Sequence, residues 1–210
     1  IGVDFQQAKG VDVVLTDPYS LPFEDESVDI IVSSSCLEHS EMFWLVYLEI
    51  LRVLKPFGVF YLNVPSQGQF HRYPVDCWRF YPDSGRALAA WGKRSGYNSV
   101  LLESYTQVGG AVWCDHISIF LKDEQFASQF KHKIIDKKQD FENGQTHVGD
   151  EILNPNFNTP LGASNLPGAF ISPKVNNRAI QERMAISSAN ANVTTNDRVI
   201  TGKIDIPKLK

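Results

Sequence analysis

The strongest constraint on the fold is a repeated switch between strand-like and helix-like hydrophobic runs. Val11 to Leu15 is a short β-branched run stopped by Asp17-Pro18, and Val28 to Val32 is a second, stopped by Ser33, Ser34 and Ser35. Glu41 to Leu54 is apolar, free of Gly and Pro, and too long for a strand. It predicts a helix N-capped by Ser40 and ended at Lys55, Pro56 and Gly58. Val59 to Val64 predicts a buried strand closed by Pro65, and Ala87, Leu88 and Trp91 share one helical face ahead of Gly96, a natural C′ residue. Ser99 to Tyr105 and Val112 to Leu121, separated by Gly109-Gly110, read as an antiparallel pair. The succession of strand, helix and strand predicts an α/β fold, a mostly parallel sheet with helices on both faces.

This pattern stops well before the chain does. Every Trp, Tyr and Cys lies before residue 126, whereas ten of the twelve Asn lie after it. Residues 1–125 carry a net charge of −7 and residues 126–210 a net +3, for a total of −4. Few aromatics and frequent Asn, Pro and Gly leave little apolar surface to offset chain entropy. The expected boundary falls between Asp123 and Phe130, dividing a first domain, 1–125, from an Asn-rich segment, 126–210. That segment reads as a disordered tail or a small β-rich appendage using alternations such as Lys203-Ile204-Asp205-Ile206, and the composition favours the tail.

The same totals exclude several functions. A mildly acidic balance lacks the clustered Lys and Arg of a phosphate-backbone binder, so no nucleic-acid partner is expected. No apolar run approaches the length of a membrane span and no basic-plus-apolar leader is visible. Cys36, Cys77 and Cys114 are odd in number and widely spaced, which suits reduced thiols in a cytoplasmic protein. A zinc site drawn from Cys36, His39, Cys77, Cys114 and His116 has no paired ligand spacing behind it, so no metal is expected. No Gly-x-Gly-x-x-Gly follows a strand, which speaks against a nicotinamide dehydrogenase.

In open α/β sheets, ligands bind beyond the carboxyl ends of the strands. Here those ends carry Asp4, Asp17, the segment from Ser33 to His39, and the segment from Pro65 to Arg79. Single carboxylates at two successive strand ends suit a nucleoside, one accepting from ribose hydroxyls and the other from an exocyclic amine. Either Asp alone is an ordinary turn or cap residue; their joint placement carries the inference.

Residues 1–123 resemble a class I S-adenosylmethionine-dependent methyltransferase of the small-molecule type. The resemblance rests on Ile1-Gly2-Val3-Asp4, on Asp17-Pro18-Tyr19-Ser20-Leu21-Pro22-Phe23, on Ser27 to Val32 with Cys36-Leu37-Glu38-His39, and on Leu48 to Phe60 with its Leu54-Lys55-Pro56-Phe57-Gly58. It implies a Rossmann-like sheet with an antiparallel final strand pair and S-adenosylmethionine as cofactor. Asp4 would hold the ribose and Asp17 the adenine amine, with Phe5 and Pro18 lining the base and Ser33 or Ser34 near the methionine part. The family's first strand and glycine-rich loop have no counterpart here and would belong upstream of Ile1. The sheet is therefore expected to lack its first strand, leaving a gap at its centre, and the chain to be a fragment of a longer enzyme that binds cofactor poorly.

The segment from Gln69 to Tyr81 follows the strand predicted at Val59 to Val64 and overhangs the expected site. His71, Arg72, Tyr73, Asp76 and Arg79 supply donors, an acceptor, a titratable ring and an aromatic wall, which suits a small-molecule or glycan acceptor carrying a planar oxyanion. The equally weighted alternative is a structural lid in which Arg72 or Arg79 pairs with Asp76. His39 and His71 are candidate bases for an O-methyl transfer, although His39 also suits a structural role at the start of the next helix, and no catalytic base is assigned. A different class of reading is a non-catalytic binding or assembly module that keeps a remnant of this fold.

Overall fold

The computed structural model describes residues 1–107 and 113–156. Its strands are β1 (Val3–Asp4), β2 (Val13–Val14), β3 (Val28–Ser34), β4 (Leu54–Gln67), β5 (Val100–Gln107), β6 (Cys114–Leu121) and β7 (Phe141–Thr146). Its helices are α1 (Phe43–Val53) and α2 (Ser84–Arg94). Short 3-10 turns occupy Leu37–His39, Glu124–Gln129 and Ile135–Lys137. Among the described residues no helix is long and apolar enough to cross a membrane.

Two sheets form. β1 and β2 pair in parallel, and the second sheet has the order β3-β4-β6-β5-β7. β3 and β4 are parallel, while β4 with β6, β6 with β5 and β5 with β7 are antiparallel. The expected break lies between β1–β2 and β3, which share no ladder. The expected mostly parallel sheet is corrected: antiparallel ladders outnumber parallel ones, because β6 inserts between β4 and β5 and β7 adds to the outer edge of β5.

The expectation of helices on both faces is also corrected. α1 and α2 cover one face, where Tyr47, Ile50 and Leu51 pack with Phe60, Leu62, Phe120 and Leu88. The other face buries Leu102, Tyr105, Ile117 and Ile119 beneath Ala127, Ile135 and Phe141 from the chain after residue 125. On that face Ile30 and Val32 of β3, in register with Val59 and Tyr61, remain 67% and 66% exposed. Among the described residues the 3-10 turns that follow β6 pack against β5 and β6, and β7 extends the sheet from the edge of β5.

The chain after residue 125 is thus built into the sheet as far as the description extends. The Glu103 carboxylate of β5 accepts from Ile134 N at 2.9 Å and Ile135 N at 3.0 Å, capping a 3-10 turn from inside the core. Gln145 of β7 accepts from Arg86 Nε and donates to Pro82 O at 3.2 Å and Asp83 Oδ1 at 3.0 Å, tying β7 to the start of α2. The compositional boundary between Asp123 and Phe130 therefore falls inside a packed body. The alternation at 203–206 and the Gly109-Gly110 pair lie outside the described residues.

Local expectations differ in small ways. Ser40 does not cap α1; it closes the preceding 3-10 turn through its N–H to Leu37 O, and α1 begins after Met42. α1 ends at Val53, just ahead of Lys55, Pro56 and Gly58 as expected, and β4 starts directly at Leu54 and runs past Pro65. Ala87 faces solvent, and α2 instead buries Gly85, Leu88, Ala89 and Gly92. The two glycines permit close approach: a Cβ at Gly92 would stand 2.3 Å from Ser99 Oγ, and one at Gly85 2.7 Å from Ser118 Oγ.

Under α2, His116 of β6 is fully buried with its Nε2 3.0 Å from Ser118 Oγ. Burial lowers its pKa to about 4, against a smaller opposing pull from Asp83. Between pH 6.5 and 4 the unfolded chain therefore binds a proton that the folded chain refuses, and stability falls as the pH drops through that window. Denaturant titrations at pH 7 and pH 4 should show the wild type losing ~3 kcal/mol more than His116→Gln. Equal losses would show that His116 is not held neutral.

Candidate functional site

The carboxyl ends of β1 to β4 carry the polar side chains. Asp4 ends β1, and its backbone carbonyl accepts from Leu15 N at 2.8 Å just beyond β2. Its carboxylate is exposed and spends Oδ1 on Gln6 N at 2.9 Å. Asp17, three residues beyond β2, spends Oδ1 on Tyr19 N at 2.9 Å. Among the described residues the second oxygen of each carboxylate accepts no hydrogen bond. That donor-free pair at adjacent strand ends is the acceptor set an adenosine needs, so these residues fit the expected cofactor. Phe5 and Pro18 are exposed beside them. Ser33 and Ser34 end β3, with Ser34 Oγ accepting from Asn63 Nδ2 at 3.3 Å. Ser35 turns the chain at φ 49°, a left-handed conformation that costs a non-glycine residue about 1–3 kcal/mol and recurs at functional sites.

The second half of the site is a splice between two strand ends. After β3 the chain makes the 3-10 turn Leu37–His39, and after β4 it crosses back over that turn. Cys77 N and Trp78 N both donate to Glu38 O, at 2.8 and 3.2 Å, and Trp78 Nε1 donates to Ser40 O at 2.9 Å. His39 Nδ1 bonds Val75 O. Trp113, leading into β6, brings its ring within 5.1 Å of the His71 ring, and a Cβ on Gly68 would collide with it.

Within the splice, Asp76 and Arg79 form an ion pair whose carboxylate is withdrawn from water while the guanidinium stays partly exposed. The Asp76 side chain is 1% exposed; it accepts from Arg79 Nη1 at 2.5 Å, Arg79 Nη2 at 2.9 Å and His71 N at 2.7 Å. Arg79 also donates to Gln69 O and Trp78 O, each at 2.8 Å. Arg79, together with the His71 N–H, holds the Asp76 carboxyl well below the usual carboxylate range. Glu38 moves the opposite way: burial pushes its carboxyl up, against its own N–H and the neighbouring His39, His71 and Arg79.

The structure thus brings together His71, Asp76 and Arg79, and leaves Arg72 and Tyr73 exposed above them. Among the described residues Arg72 has no ion-pair partner. Sequence reasoning missed Glu38 and Trp113 as members of this group. An acidic residue beside a histidine just after a strand was the available signal for Glu38; Trp113 gave none, since only the pairing of β6 with β4 brings it here from far along the chain. A broad cleft of about 540 Å³ lies elsewhere, at the amino ends of β3 and β4, lined by Asp25, Glu26, Arg52 and Lys122. Its two cations are already paired, Arg52 with Asp25 and Lys122 with Glu26.

Residues 3–62 match the model of a family described as a methyltransferase domain. An uncharacterized methyltransferase of Mycobacterium marinum is 35% identical over 79 residues, covering 37% of this chain and 31% of the relative. The chain thus spans about a third of the length of that curated relative. Among solved structures, a Burkholderia thailandensis 1,6-didemethyltoxoflavin-N1-methyltransferase with bound S-adenosylhomocysteine is similar at 16% identity and a TM-score of 0.43, covering 58% of this chain and 60% of that one. A putative sarcosine dimethylglycine methyltransferase from Galdieria sulphuraria is similar at 16% identity and a TM-score of 0.41, covering 54% and 60%.

The ion pair separates two kinds of arginine. Arg79→Ala strands a buried carboxylate and should cost ~2–4 kcal/mol in urea unfolding, whereas Arg72→Ala should stay within about 0.5 kcal/mol of wild type. Because the Asp76 pKa is depressed on folding, its contribution is present above about pH 4 and fades as the pH falls below it. Equal stability of the two variants would remove the structural role assigned to Arg79.

Proposed function

We propose that this chain, whose residues 3–62 match the model of a methyltransferase domain, transfers a methyl group from S-adenosylmethionine to a small-molecule or glycan acceptor. The observation that carries this reading is the pair of exposed carboxylates, Asp4 and Asp17, at the carboxyl ends of two adjacent parallel strands, each with one oxygen uncommitted. Asp4 accepts from the ribose hydroxyls and Asp17 from the adenine amine. Phe5 and Pro18 flank the base, and Ser33 and Ser34 lie toward the methionine part. The cofactor's sulfonium supplies an activated methyl group, so the protein's task is to position the acceptor in line and exclude water.

The splice over β3 and β4 performs that positioning. Asp76 and Arg79 are committed to each other, so they shape the lid and meet the acceptor only through it. Arg72 and Tyr73, exposed and without a side-chain partner among the described residues, are the groups that meet the acceptor directly, with His71 lining the site beside them. A free guanidinium favours an acceptor with a carboxylate, phosphate or similar planar oxyanion.

Ligand-observed NMR with S-adenosylhomocysteine, which registers millimolar affinities, tests the cofactor half. Binding is expected, weakened at least tenfold by Asp4→Asn and by Asp17→Asn, with the folded spectrum retained. Absence of saturation transfer at millimolar ligand sinks the methyl-transfer reading and favours a non-catalytic module. Binding that neither variant weakens removes the assigned roles.

A further inference from the structure

Glu38, His39 and His71 each place one donor atom within 4.8 Å of the other two, the only such grouping of metal-capable side chains among the described residues. None of the three cysteines joins it. Glu38 is the unusual member. It is 1% exposed, yet Oε2 has no hydrogen-bond partner among the described residues, while Oε1 stands 3.7 Å from His39 Nε2. A buried carboxylate oxygen left without a donor costs several kcal/mol if ionised, so such groups are normally paired or bound to a cation.

One nitrogen of each imidazole is already held by the protein. His39 Nδ1 is spent on Val75 O. His71 Nδ1 lies 3.1 Å from Gln69 O and 3.4 Å from Asp76 Oδ2. Val75 O, Gln69 O and Asp76 Oδ2 are all acceptors, which assigns the proton of each ring to Nδ1 and leaves the lone pair on Nε2. A histidine whose far nitrogen is pinned to a carbonyl or carboxylate is the usual second layer of a metal site, fixing tautomer and ring direction. The nearest permanent cation, Arg79, is neutralised by Asp76 and does not fill the place of an ion.

We propose that Glu38, His39 and His71 bind one divalent first-row transition-metal ion, zinc being the ion their two imidazoles and one carboxylate suit best. Two His and one Glu are a known zinc donor set, and three protein ligands leave a four-coordinate ion one open position, the pattern of catalytic rather than structural sites. Donor atoms around tetrahedral zinc lie about 3.3 Å apart, from bond lengths near 2.0–2.1 Å, so the separations within the group shorten by up to about 1.5 Å on binding. His71 sits on the half-exposed crossing segment, which supplies that movement, whereas Glu38 is fixed from above by two main-chain hydrogen bonds to its carbonyl. Holding an acceptor heteroatom at the open position is a role that rests on the methyl-transfer reading; metal binding itself does not.

The test is therefore run without cofactor or acceptor. The full chain, stripped with EDTA and dialysed, is titrated with Zn²⁺ and, separately, with Co²⁺. One equivalent is expected, with a Co²⁺ visible spectrum and no near-ultraviolet thiolate band. Glu38→Gln and His71→Ala should each weaken Zn²⁺ at least tenfold, and Cys36→Ser with Cys77→Ser should not. His71 is half-exposed and its replacement leaves the core intact; circular dichroism verifies folding of each variant. No saturable binding by the wild type, a thiolate band, or undiminished binding by both folded ligand variants would each overturn the proposal.

Discussion

β4 is the element on which the rest of the structure depends. It forms a ladder on both edges, parallel to β3 and antiparallel to β6, and its alternating side chains serve both cores: Phe60, Leu62 and Val64 under the helices, Val59 and Tyr61 on the opposite face. A strand buried on two faces and bonded on two edges has little freedom to shift register, since a one-residue slip would exchange the two faces. Its carboxyl end is therefore a fixed point. The crossing segment starts there, and Phe80 N returns to Pro65 O at 2.9 Å, so the segment is anchored at both ends to one rigid strand.

That anchoring explains why two carboxylates a short distance apart behave oppositely. Asp76 and Glu38 are both withdrawn from water, and desolvation alone would raise both. Asp76 escapes because Arg79 meets it with two parallel N–H bonds and the His71 N–H adds a third. Glu38 has histidines and a more distant guanidinium nearby, but no donor on Oε2. One carboxylate has its charge answered by the fold; the other keeps an acceptor in reserve within the same enclosed splice.

Legibility in the sequence followed the range of the interactions. Period alone located β3, α1, β5 and β6 to within a few residues, because burial on a face is written in local spacing. Strand ends were legible too, which is why Asp4, Asp17, Ser33 and Ser34 could be named as one group. Elements held by distant partners were not. β7 reads Phe-Glu-Asn-Gly-Gln-Thr, with weak strand propensity and Asn143 at φ 52°; it is a strand because β5 offers an edge and α2 binds Gln145. Within the crossing segment the sequence left Arg72 and Arg79 interchangeable, since only the path of the backbone decides which guanidinium reaches Asp76. Glu38 was hidden for the same reason: nothing local shows that the chain from β4 will close over it.

The β1–β2 pair poses a different physical problem. Two strands of two residues each cannot hold themselves together in water, and the ladder they form joins no other strand. Their support comes from α1 through Arg52, whose guanidinium spends five hydrogen bonds: two on Glu49, and one each on Asp25, Phe23 O and Leu21 O. Glu49 in turn accepts from Leu21 N at 2.9 Å. The Leu-Pro-Phe turn after β2 is thereby clamped to the helix that feeds β4, and Lys122 closes the end of that helix at Arg52 O and Leu54 O. The two halves of the candidate site, carboxylates on one side and histidines on the other, share no strand ladder. What they share is α1, held at its carboxyl end by this cluster of charge-assisted bonds and at its amino end by the turn that carries Glu38 and His39.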